Sequence, residues 1–277
     1  YTIAMDNHLI IDPKLEKEKI INFLKKTLKE QKIDKIVLGL SGGIDSTAVF
    51  YILKEFLDAK NIYVVQMDYN PRKKFKIDLK EVNVVDVSIK KIVDQLQVEG
   101  LVSNFFISAG TSSQSRSPES KKNSTPSPLL DKIRFGNIMA RVRMIILFDL
   151  AKQLNALVCG TENRSERLLG YFTRFGDSAS DIEPISHLYK TQVYQLAKYL
   201  EIPKETINQP PSAGLWDRQT DEDEFGFTYL EADQVLHLYY DEKISLEEII
   251  KQGFKNAEKI ITRSLNNQFK LKTPYHI

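Results

Sequence analysis

The chain has 277 residues and a formal net charge of +2, from 39 basic and 37 acidic side chains. Because basic and acidic side chains nearly balance, the net charge does not indicate a surface that binds polyanions, and we expect no nucleic-acid partner. Four histidines and one cysteine exclude an intrachain disulfide and do not favour a classical zinc site. No stretch reaches the ~18 apolar residues of a membrane span, and no secretory signal is evident, so we expect a cytoplasmic protein.

A chain of this length can bury one full core, since α/β domains reach ~250 residues. We therefore predict one domain over residues 1–277. Residues 14–32 have the spacing of an amphipathic helix. The apolar run that follows, 36–39, breaks at a glycine pair and precedes an apolar stripe at helical spacing over 47–57. This pattern predicts a strand, a tight loop and a helix.

The chemistry of this loop points to a phosphate and a metal. Gly42 and Gly43 allow close approach of the backbone, and Ser41 and Ser46 offer hydroxyl donors at a helix start that attracts anions. Asp45 would repel a phosphate, and Mg²⁺ between the two resolves that conflict. The competing interpretation is that Asp45 and Ser46 only cap the helix.

Two better known phosphate motifs are excluded. A Walker A loop needs a Gly-Lys pair, which this sequence lacks, and the glycines here do not fit the G-x-G-x-x-G spacing. Residues 41–46 instead resemble the S-G-G-x-D-S loop of the ATP pyrophosphatase superfamily. That resemblance implies cleavage between the α and β phosphates of ATP, which yields AMP and pyrophosphate.

The next elements predict a parallel sheet. Residues 61–67 and 84–87 are predicted strands, and 89–96 is a predicted helix. We expect an α/β fold with a doubly wound, mostly parallel sheet, helices on both faces, and a ligand beyond the carboxyl ends of the strands. The basic patch at 72–76 is expected to be a solvated connection rather than a phosphate grip.

Residues 108–128 are rich in serine, proline and threonine, which predicts a flexible loop, with a lid over the site and plain surface disorder equally open. Residues 137–153 then predict a long apolar helix that contains Arg141 and Arg143 on different sides. Because most of such a helix is buried, one of these arginines is expected to bind a phosphate or a carboxylate.

The predicted strand 156–161 contains Cys159, which we expect to be a buried thiol rather than a nucleophile. Polar residues follow this strand, and Glu166 among them is a candidate second Mg²⁺ ligand, or simply an acidic residue in a first helical turn. Loop 170–182 has a composition typical of binding loops. The acidic run 221–224 is expected to be a solvated surface or a helix cap rather than a metal cluster.

The remaining stretches predict helices over 189–200, 229–240, 245–252 and 254–267, with a rigid turn at 210–216. Taken together, spaced blocks covering most of 36–226 resemble the ammonia-dependent NAD⁺ synthetases. These blocks include Leu40 to Ser46, Gly136-Asn137, Ala140-Arg141, Arg143-Met144, Gly160-Thr161, Asn163, Ser165-Glu166, Gly170 to Thr173, Gly176-Asp177, Asp181-Ile182, Leu188 to Val193 and Pro211 to Trp216.

The resemblance implies a fold similar to the adenine nucleotide alpha hydrolases, with a helical C-terminal extension. It implies that the nicotinate carboxylate of deamido-NAD⁺ attacks ATP, that AMP and pyrophosphate leave, and that ammonia completes the amide. Asp45, Lys190 and Thr161 carry the catalytic roles by this resemblance. ATP contacts are expected at Gly39, Leu40, Ser41, Gly42, Gly43, Ile44, Asp45, Ser46, Thr161, Lys190 and Ser212.

By the same resemblance, Asp45 and Glu166 are expected to bind Mg²⁺, and deamido-NAD⁺ is expected to contact Arg141, Arg174, Asp181 and Lys270. A homodimer is implied, with helix 137–153 a reasonable interface element. Two departures stand out: Arg174 replaces a lysine of many relatives, and Phe269 replaces a histidine. The stretch 67–80 matches poorly, so the adenine contacts stay unassigned.

Two other functions stay open from the sequence. One is another adenylating ATP pyrophosphatase, such as a tRNA-modifying lysidine synthase, although the charge of +2 does not favour an RNA substrate. The other is a nucleotide-binding sensor without catalytic activity. Such a sensor would dispense with metal carboxylates, whereas Asp45 and Glu166 are both present.

Overall fold

The computed structural model describes residues 7–70, 77–98, 128–215, 219–272 and 274–275. Four strands form one sheet in the order β3-β2-β1-β4, and each of the three pairings is parallel. The strands are β1 (Ile36–Gly39), β2 (Ile62–Asp68), β3 (Asn83–Ser88) and β4 (Leu157–Cys159). The chain moves outward from β1 to β3 and returns to place β4 beside β1. The loops after β1 and β4 therefore diverge, which is where parallel α/β sheets bind ligands.

Eleven helices surround or extend this sheet in the described part of the chain. They are α1 (Pro13–Gln31), α2 (Ile44–Phe56), α3 (Lys90–Val98), α4 (Pro128–Leu154), α5 (Arg164–Leu169), α6 (Lys190–Tyr199), α7 (Lys204–Ile207), α8 (Asp221–Phe225), α9 (Tyr229–Tyr240), α10 (Leu246–Lys251) and α11 (Ala257–Asn267). The predicted strands and long helices are confirmed within a few residues. The short helices α7 and α8 were not predicted, and α5 was only one of two interpretations of Glu166. The helix α4 begins well before residue 137.

The sheet has an apolar core on each face. Alternate residues of β1 point to opposite faces, so Ile36 and Leu38 belong to one core and Val37 to the other. The first core contains residues of α1, α2 and α6, and the second contains residues of α3 and α4. The predicted fold class, with helices on both faces of a parallel sheet, is confirmed.

A third apolar cluster lies among the C-terminal helices. It joins residues of α9, α10 and α11 to Leu9, Leu169 and Tyr189. Leu169 ends α5 and Tyr189 precedes α6, so the C-terminal helices pack against the end of α5 and the start of α6. The predicted helical C-terminal extension is confirmed, and it packs against helices that carry residues of the site described below.

Several predictions fall on residues that the structure does not describe. The serine-rich loop predicted over 108–128 lies outside the described residues except for Pro128, where α4 begins. The basic patch at 72–76 and Trp216 also lie outside them. Among the described helices, none is both long enough and apolar enough to span a membrane.

Candidate active site

The loop between β1 and α2 has the predicted form. Gly42 has a φ of 79°, a left-handed conformation that favours glycine, and the chain turns there into α2. The first helical bond of α2 runs from the N–H of Thr47 to the carbonyl of Gly43 at 3.1 Å. The N–H groups of the three preceding residues therefore lie at the open, electropositive end of the helix.

The capping interpretation of Asp45 and Ser46 is wrong. The N-cap of α2 is Gly43, with no side-chain cap hydrogen bond, and the hydroxyl of Ser46 donates to the Gly43 carbonyl at 3.2 Å. The carboxylate of Asp45 instead leaves its own helix and accepts hydrogen bonds from two distant side chains, Asn163 and Lys190. The Asp45 side chain therefore does not cap its own helix, and it faces the end of β4.

Lys190 joins the two predicted metal ligands. Its Nζ lies 2.6 Å from Oδ2 of Asp45 and 3.1 Å from Oε1 of Glu166. The lysine side chain is only 3% exposed, and the two carboxylate side chains are 16% and 18% exposed. The structure therefore brings three predicted site residues, from α2, α5 and α6, to one buried point below the glycine loop. We call Asp45, Glu166 and Lys190 the inner cluster.

Burial and pairing set the charges of this cluster. Burial raises the pKa of Glu166 to about 8, although the ammonium of Lys190 opposes the rise. Burial would lower the pKa of Lys190, but Asp45 and Glu166 outweigh that effect and raise it above its usual range. Lys190 is consequently a permanent cation, and Glu166 is a carboxyl group that gains most from a second cation nearby.

Glu166 is positioned by the start of α5. Its backbone N–H donates to Oδ1 of Asn163 at 3.0 Å, and its Oε2 accepts from the backbone N–H of Asn163 at 3.3 Å. This is a capping box, so the acidic-first-turn interpretation holds for one oxygen while the other contacts Lys190. Asn163 also donates through Nδ2 to Asp45 at 3.0 Å, which fixes both carboxylates relative to each other.

Asp233 supports the inner cluster from α9 and had no signal in the local sequence. It is fully buried, accepts a short hydrogen bond from the hydroxyl of Ser165, and accepts one from the N–H of Thr191 at 2.8 Å. The Ser165 hydroxyl also accepts from the N–H of Lys190 at 2.8 Å. Burial raises the pKa of Asp233 to about 6. This one carboxyl group ties α5 to α6 and holds Lys190 beside Glu166.

The predicted solvated surface at 221–224 is wrong for its first residue. Asp221 is 2% exposed, accepts from the hydroxyl of Tyr229 at 3.1 Å and from the N–H of Ala213 at 3.1 Å. The run forms the first turn of α8 with Thr220 as its cap, and only Asp223 and Glu224 are exposed. The four acidic side chains point in different directions, as expected, and that of Asp221 points into the site.

A cavity of about 480 Å³ opens above the inner cluster, between the loops that follow β1 and β4. Its volume lies within the usual range for small-molecule sites. Most predicted ATP contacts line it, namely Gly39, Leu40, Ser41, Gly43, Ile44, Asp45, Ser46, Thr161, Lys190 and Ser212, together with Glu166. Gly42 does not line it and serves the turn. Cys159 lies in the floor, and burial raises its thiol pKa well above the usual value, as expected for a thiol that is not a nucleophile.

The other predicted substrate residues form a separate group. Arg141 is exposed and donates to the carbonyl of Arg174 at 3.2 Å, and Lys270 donates to the carbonyls of Gly170 and Phe172 at 2.6 and 3.0 Å. We call Arg141, Arg174 and Lys270 the outer group. Its members do not line the cavity but hold the loop that begins at Gly170.

Asp181 lies apart from the outer group and binds the backbone. Its Oδ2 accepts from the N–H of Val158 at 2.8 Å, so the carboxylate fixes the loop against β4. Of the two arginines predicted to matter on this helix, Arg141 and Arg143, it is Arg143 that lines the cavity, where its Nε donates to the carbonyl of Met67 at 3.2 Å. Nothing in the sequence pattern separated Arg143 from Arg141.

Arg174 and Phe269, the two positions that stand out in the sequence analysis, contact each other. The guanidinium of Arg174 lies 5.7 Å from the ring centre of Phe269 and 5.3 Å from that of Phe175. A guanidinium stacks on an aromatic face better than an ammonium does. The two side chains therefore form a physically coherent pair, because the Phe269 ring faces the Arg174 guanidinium.

Two neighbouring carboxyl groups, the buried Glu162 and the half-buried Glu183, lie beside the cavity floor. Oε2 of Glu183 accepts from the N–H of Glu162 at 3.0 Å, and its Oε1 accepts from the hydroxyl of Ser180 at 2.6 Å. Burial raises the pKa of Glu162 to about 8 and that of Glu183 to about 7. A Cβ added at Gly160 would lie 1.8 Å from Glu183 Oε1, so this glycine leaves room for the carboxylate.

The geometry described above is that of a nucleotide-dependent enzyme, since phosphates bind at a helix start near a buried lysine. The sequence matches the NAD synthase family over residues 16–274, and the chain belongs to that family. An NH(3)-dependent NAD(+) synthetase of Fusobacterium nucleatum subsp. nucleatum is 36% identical over 270 residues, which cover 97% of each chain. The relatives of this name are ligases, and so is this protein.

Solved structures show the same architecture over the full length. An NH3-dependent NAD synthetase from Campylobacter jejuni subsp. jejuni, in complex with the nitrate ion, superposes with a TM-score of 0.71 at 27% identity, covering 96% of this chain and 100% of that one. An NMN synthetase from Francisella tularensis superposes with a TM-score of 0.70 at 30% identity, covering 97% and 99%. The predicted family membership is confirmed.

Proposed function

We propose that this protein amidates deamido-NAD⁺ with ammonia, at the expense of ATP, and releases NAD⁺, AMP and pyrophosphate. Relatives that match nearly the whole chain carry the name NH(3)-dependent NAD(+) synthetase. The observation that carries the proposal is the inner cluster, in which Lys190 joins Asp45 and Glu166 under the glycine loop. No covalent enzyme nucleophile is required by this arrangement.

The chemistry requires two anions to meet. A nicotinate carboxylate is a poor acylating agent because its oxygen is a poor leaving group. It must therefore first attack the α-phosphate of ATP, so that this oxygen can leave as part of AMP. Fixed donors at the start of α2 and the ammonium of Lys190 offset the repulsion between the two substrates and stabilise charge on the phosphates. Thr161, at the end of β4, lines the same cavity as these groups.

The residues present fit Mg²⁺. Asp45 and Glu166 offer carboxylate oxygens, which this hard ion prefers, and both already converge on a cationic atom. In this proposal they hold the ion, which supplies charge neutralisation for the ATP phosphates. The raised pKa of Glu166 supports the assignment, because a second cation favours the ionised carboxylate that burial disfavours.

The outer group is proposed to bind deamido-NAD⁺. Arg141 and Arg174 place two cations at the mouth of the loop that begins at Gly170, and Lys270 holds the backbone of that loop. Asp181, which binds the backbone of β4, is proposed to contact the same substrate from the other side of the loop. A substrate with two phosphates matches this excess of positive charge.

Product analysis tests the proposal. The full chain is incubated with ATP, Mg²⁺, ammonium and deamido-NAD⁺, and nucleotides are separated by chromatography. We expect NAD⁺, AMP and pyrophosphate in equal amounts, whereas ADP and phosphate would contradict the proposal. Replacing deamido-NAD⁺ by nicotinate mononucleotide asks whether the reaction of the NMN synthetase neighbour is shared. Replacing ammonium by ammonia-free glutamine should abolish turnover.

The alternative functions fail the same test in distinct ways. A tRNA-modifying enzyme would release AMP and pyrophosphate only with RNA present, and a sensor would bind ATP without turnover. The inner cluster does not favour a sensor, because a buried carboxylate pair adds nothing to the binding of an anion unless a metal intervenes. The predicted absence of a nucleic-acid partner and the cytoplasmic location stay predictions.

We further propose a homodimer that uses the exposed face of α4. On that face, Ile145 is 60% exposed although it is a large apolar side chain. Light scattering should give twice the chain mass of 31.9 kDa, and Ile145→Glu should shift the equilibrium toward the monomer. A monomer mass that does not change with concentration would contradict this proposal.

A further inference from the structure

A second group of metal-binding side chains lies outside the active site, where the N-terminal 3-10 turn Asn7–Leu9 meets the end of α9. His8, His237 and Glu242 each point one ligand atom at the same place, and these atoms all lie within 4.8 Å of one another. The two imidazole rings are stacked, with ring centres 5.8 Å apart and planes inclined by 24°. Two of these residues belong to helix turns, so their positions do not depend on a long loop.

His237 is prepared for a ligand role. Its Nδ1 lies 3.0 Å from Oδ2 of Asp241, so the carboxylate fixes the ring and leaves Nε2 facing Oε1 of Glu242 at 3.3 Å. That Nε2 is buried and makes no hydrogen bond with any described residue. Metal-binding histidines usually donate their other nitrogen to a carboxylate, which fixes the tautomer and the ring orientation.

Asp241 is itself held in place. It accepts from the hydroxyl of Tyr189 at 2.8 Å and is paired with Arg164. The carboxylate that contacts His237 is therefore fixed by two further side chains, and it holds the imidazole ring in one orientation.

The donor set selects the kind of ion. Two imidazoles and one carboxylate suit a borderline ion such as Zn²⁺, whereas Mg²⁺ prefers oxygen ligands only. In a tetrahedral zinc site with bonds of ~2.0–2.1 Å, neighbouring ligand atoms lie roughly 3.3 Å apart. The Glu242 to His237 distance of 3.3 Å already matches this spacing. His8 is exposed, so its ring has room to move toward the other two ligands.

We propose that His8, His237 and Glu242 bind one Zn²⁺ ion, with water as a further ligand, at a site separate from the inner cluster. The ion would tie the N-terminal turn to α9. Because Asp241 also contacts Tyr189, which precedes α6, the site stiffens the C-terminal support of the active site. The proposal does not depend on the proposed reaction.

Competition with a chromophoric zinc chelator tests the site on the metal-free full chain, in buffer without Mg²⁺. We expect one Zn²⁺ per chain in the wild type and the same stoichiometry in the Asp45→Asn, Glu166→Gln double variant. His237→Gln, Glu242→Gln and the exposed His8→Gln should each weaken binding by about tenfold or more. Substitution by Co²⁺ should give the strong visible absorption of a four-coordinate site.

The control is His187→Gln. His187 also faces a carboxylate, with its Nε2 3.2 Å from Oε2 of Glu16, but among the described residues it belongs to no group of metal-binding side chains. This variant should keep the wild-type affinity. No bound zinc in the wild type, unchanged affinity in a folded His8→Gln variant, or loss of zinc in the inner-cluster variant would each overturn the proposal. Circular dichroism confirms that each variant is folded, and His8→Gln keeps the test valid if His237→Gln is not.

Discussion

The inner cluster and the outer group hold their charges in opposite ways. In the inner cluster, Lys190 is 3% exposed and its charged partners are side chains from other helices. In the outer group, Arg141 is exposed, and Arg141 and Lys270 donate to backbone carbonyls. Three buried side chains thus fix one another, whereas the outer cations follow the backbone to which they are bound.

This difference assigns different tasks to the two regions. A buried network is costly to break and holds its geometry, which suits the stabilisation of developing charge. A partly exposed arginine that stacks on rings can adjust to a substrate, and it gives up little on binding. We therefore expect changes in the inner cluster to act on turnover and changes in the outer group to act on substrate affinity.

The largest effect is expected for Lys190→Met. The variant keeps the length of the side chain but removes the cation, so turnover should fall roughly 100- to 1,000-fold. Two neighbouring carboxylates also lose their shared partner, which should lower the free energy of unfolding by ~3 kcal/mol. Lys198→Met is the control, because this lysine lies on the same helix and is exposed. Near-normal turnover in Lys190→Met would remove this residue from the chemistry.

A smaller loss is expected for Asp233→Asn, which changes the support and not the cluster itself. The Ser165 hydroxyl donates to Oδ1 of the carboxylate and the Thr191 N–H donates to Oδ2, whereas an amide has only one oxygen and cannot accept at both positions. We expect ~2 kcal/mol less stability and kcat lowered by about 10-fold, with KM for ATP nearly unchanged. Enzyme kinetics and thermal melts measure both, with the exposed Asp149→Asn as control. A rise in KM alone would contradict a positioning role.

The outer group predicts a change in KM. Arg174→Lys and Phe269→Leu each remove one half of the stacked pair, which is worth about 0.5–1 kcal/mol at an exposed site. Each should raise KM for deamido-NAD⁺ by about 2- to 5-fold and leave kcat unchanged. The double variant should be no worse than either single variant, because only one interaction is lost. Additive effects would show that the two side chains act separately.

The last effect concerns stability rather than turnover, and it depends on pH in the variant Glu162→Gln. The carboxyl group has its ordinary pKa of 4.5 in the unfolded chain and about 8 in the folded one. The unfolded chain therefore releases this proton first, and stability falls as pH rises from 4.5 through 8. The variant lacks this loss, so its free energy of unfolding should match the wild type near pH 5 and exceed it by up to ~5 kcal/mol at pH 9. Parallel stability curves for the two proteins would contradict the assignment.

The sequence predicts the parts of the site that depend on local pattern. The strand, glycine loop and helix around Asp45 follow from residues close in the chain, and Glu166 follows from its place after a strand. The spacing of Asn163, three residues before Glu166, is also the pattern that predicts the capping box of α5. These features are short-range, so periodicity and turn chemistry suffice to find them.

The supporting residues could not be found in that way. Asp233 lies inside a helix whose pattern looks ordinary, and only the packing of α9 against α5 and α6 shows its role. Asp221 belongs to an acidic run, and such runs are usually solvated. It is buried because the first residue of α8 points inward. Long-range contacts of single polar residues leave no periodic trace in a sequence.

The central claim is that Asp45 and Glu166 hold one metal ion together. We would measure turnover and direct Mn²⁺ binding by electron paramagnetic resonance for Asp45→Asn, Glu166→Gln and the double variant, over a series of metal concentrations. Each single variant should lose roughly 100-fold or more in turnover and bind the metal more weakly, and the double variant should lose little beyond either one. Full metal affinity in either single variant, or losses that multiply in the double variant, would contradict the claim.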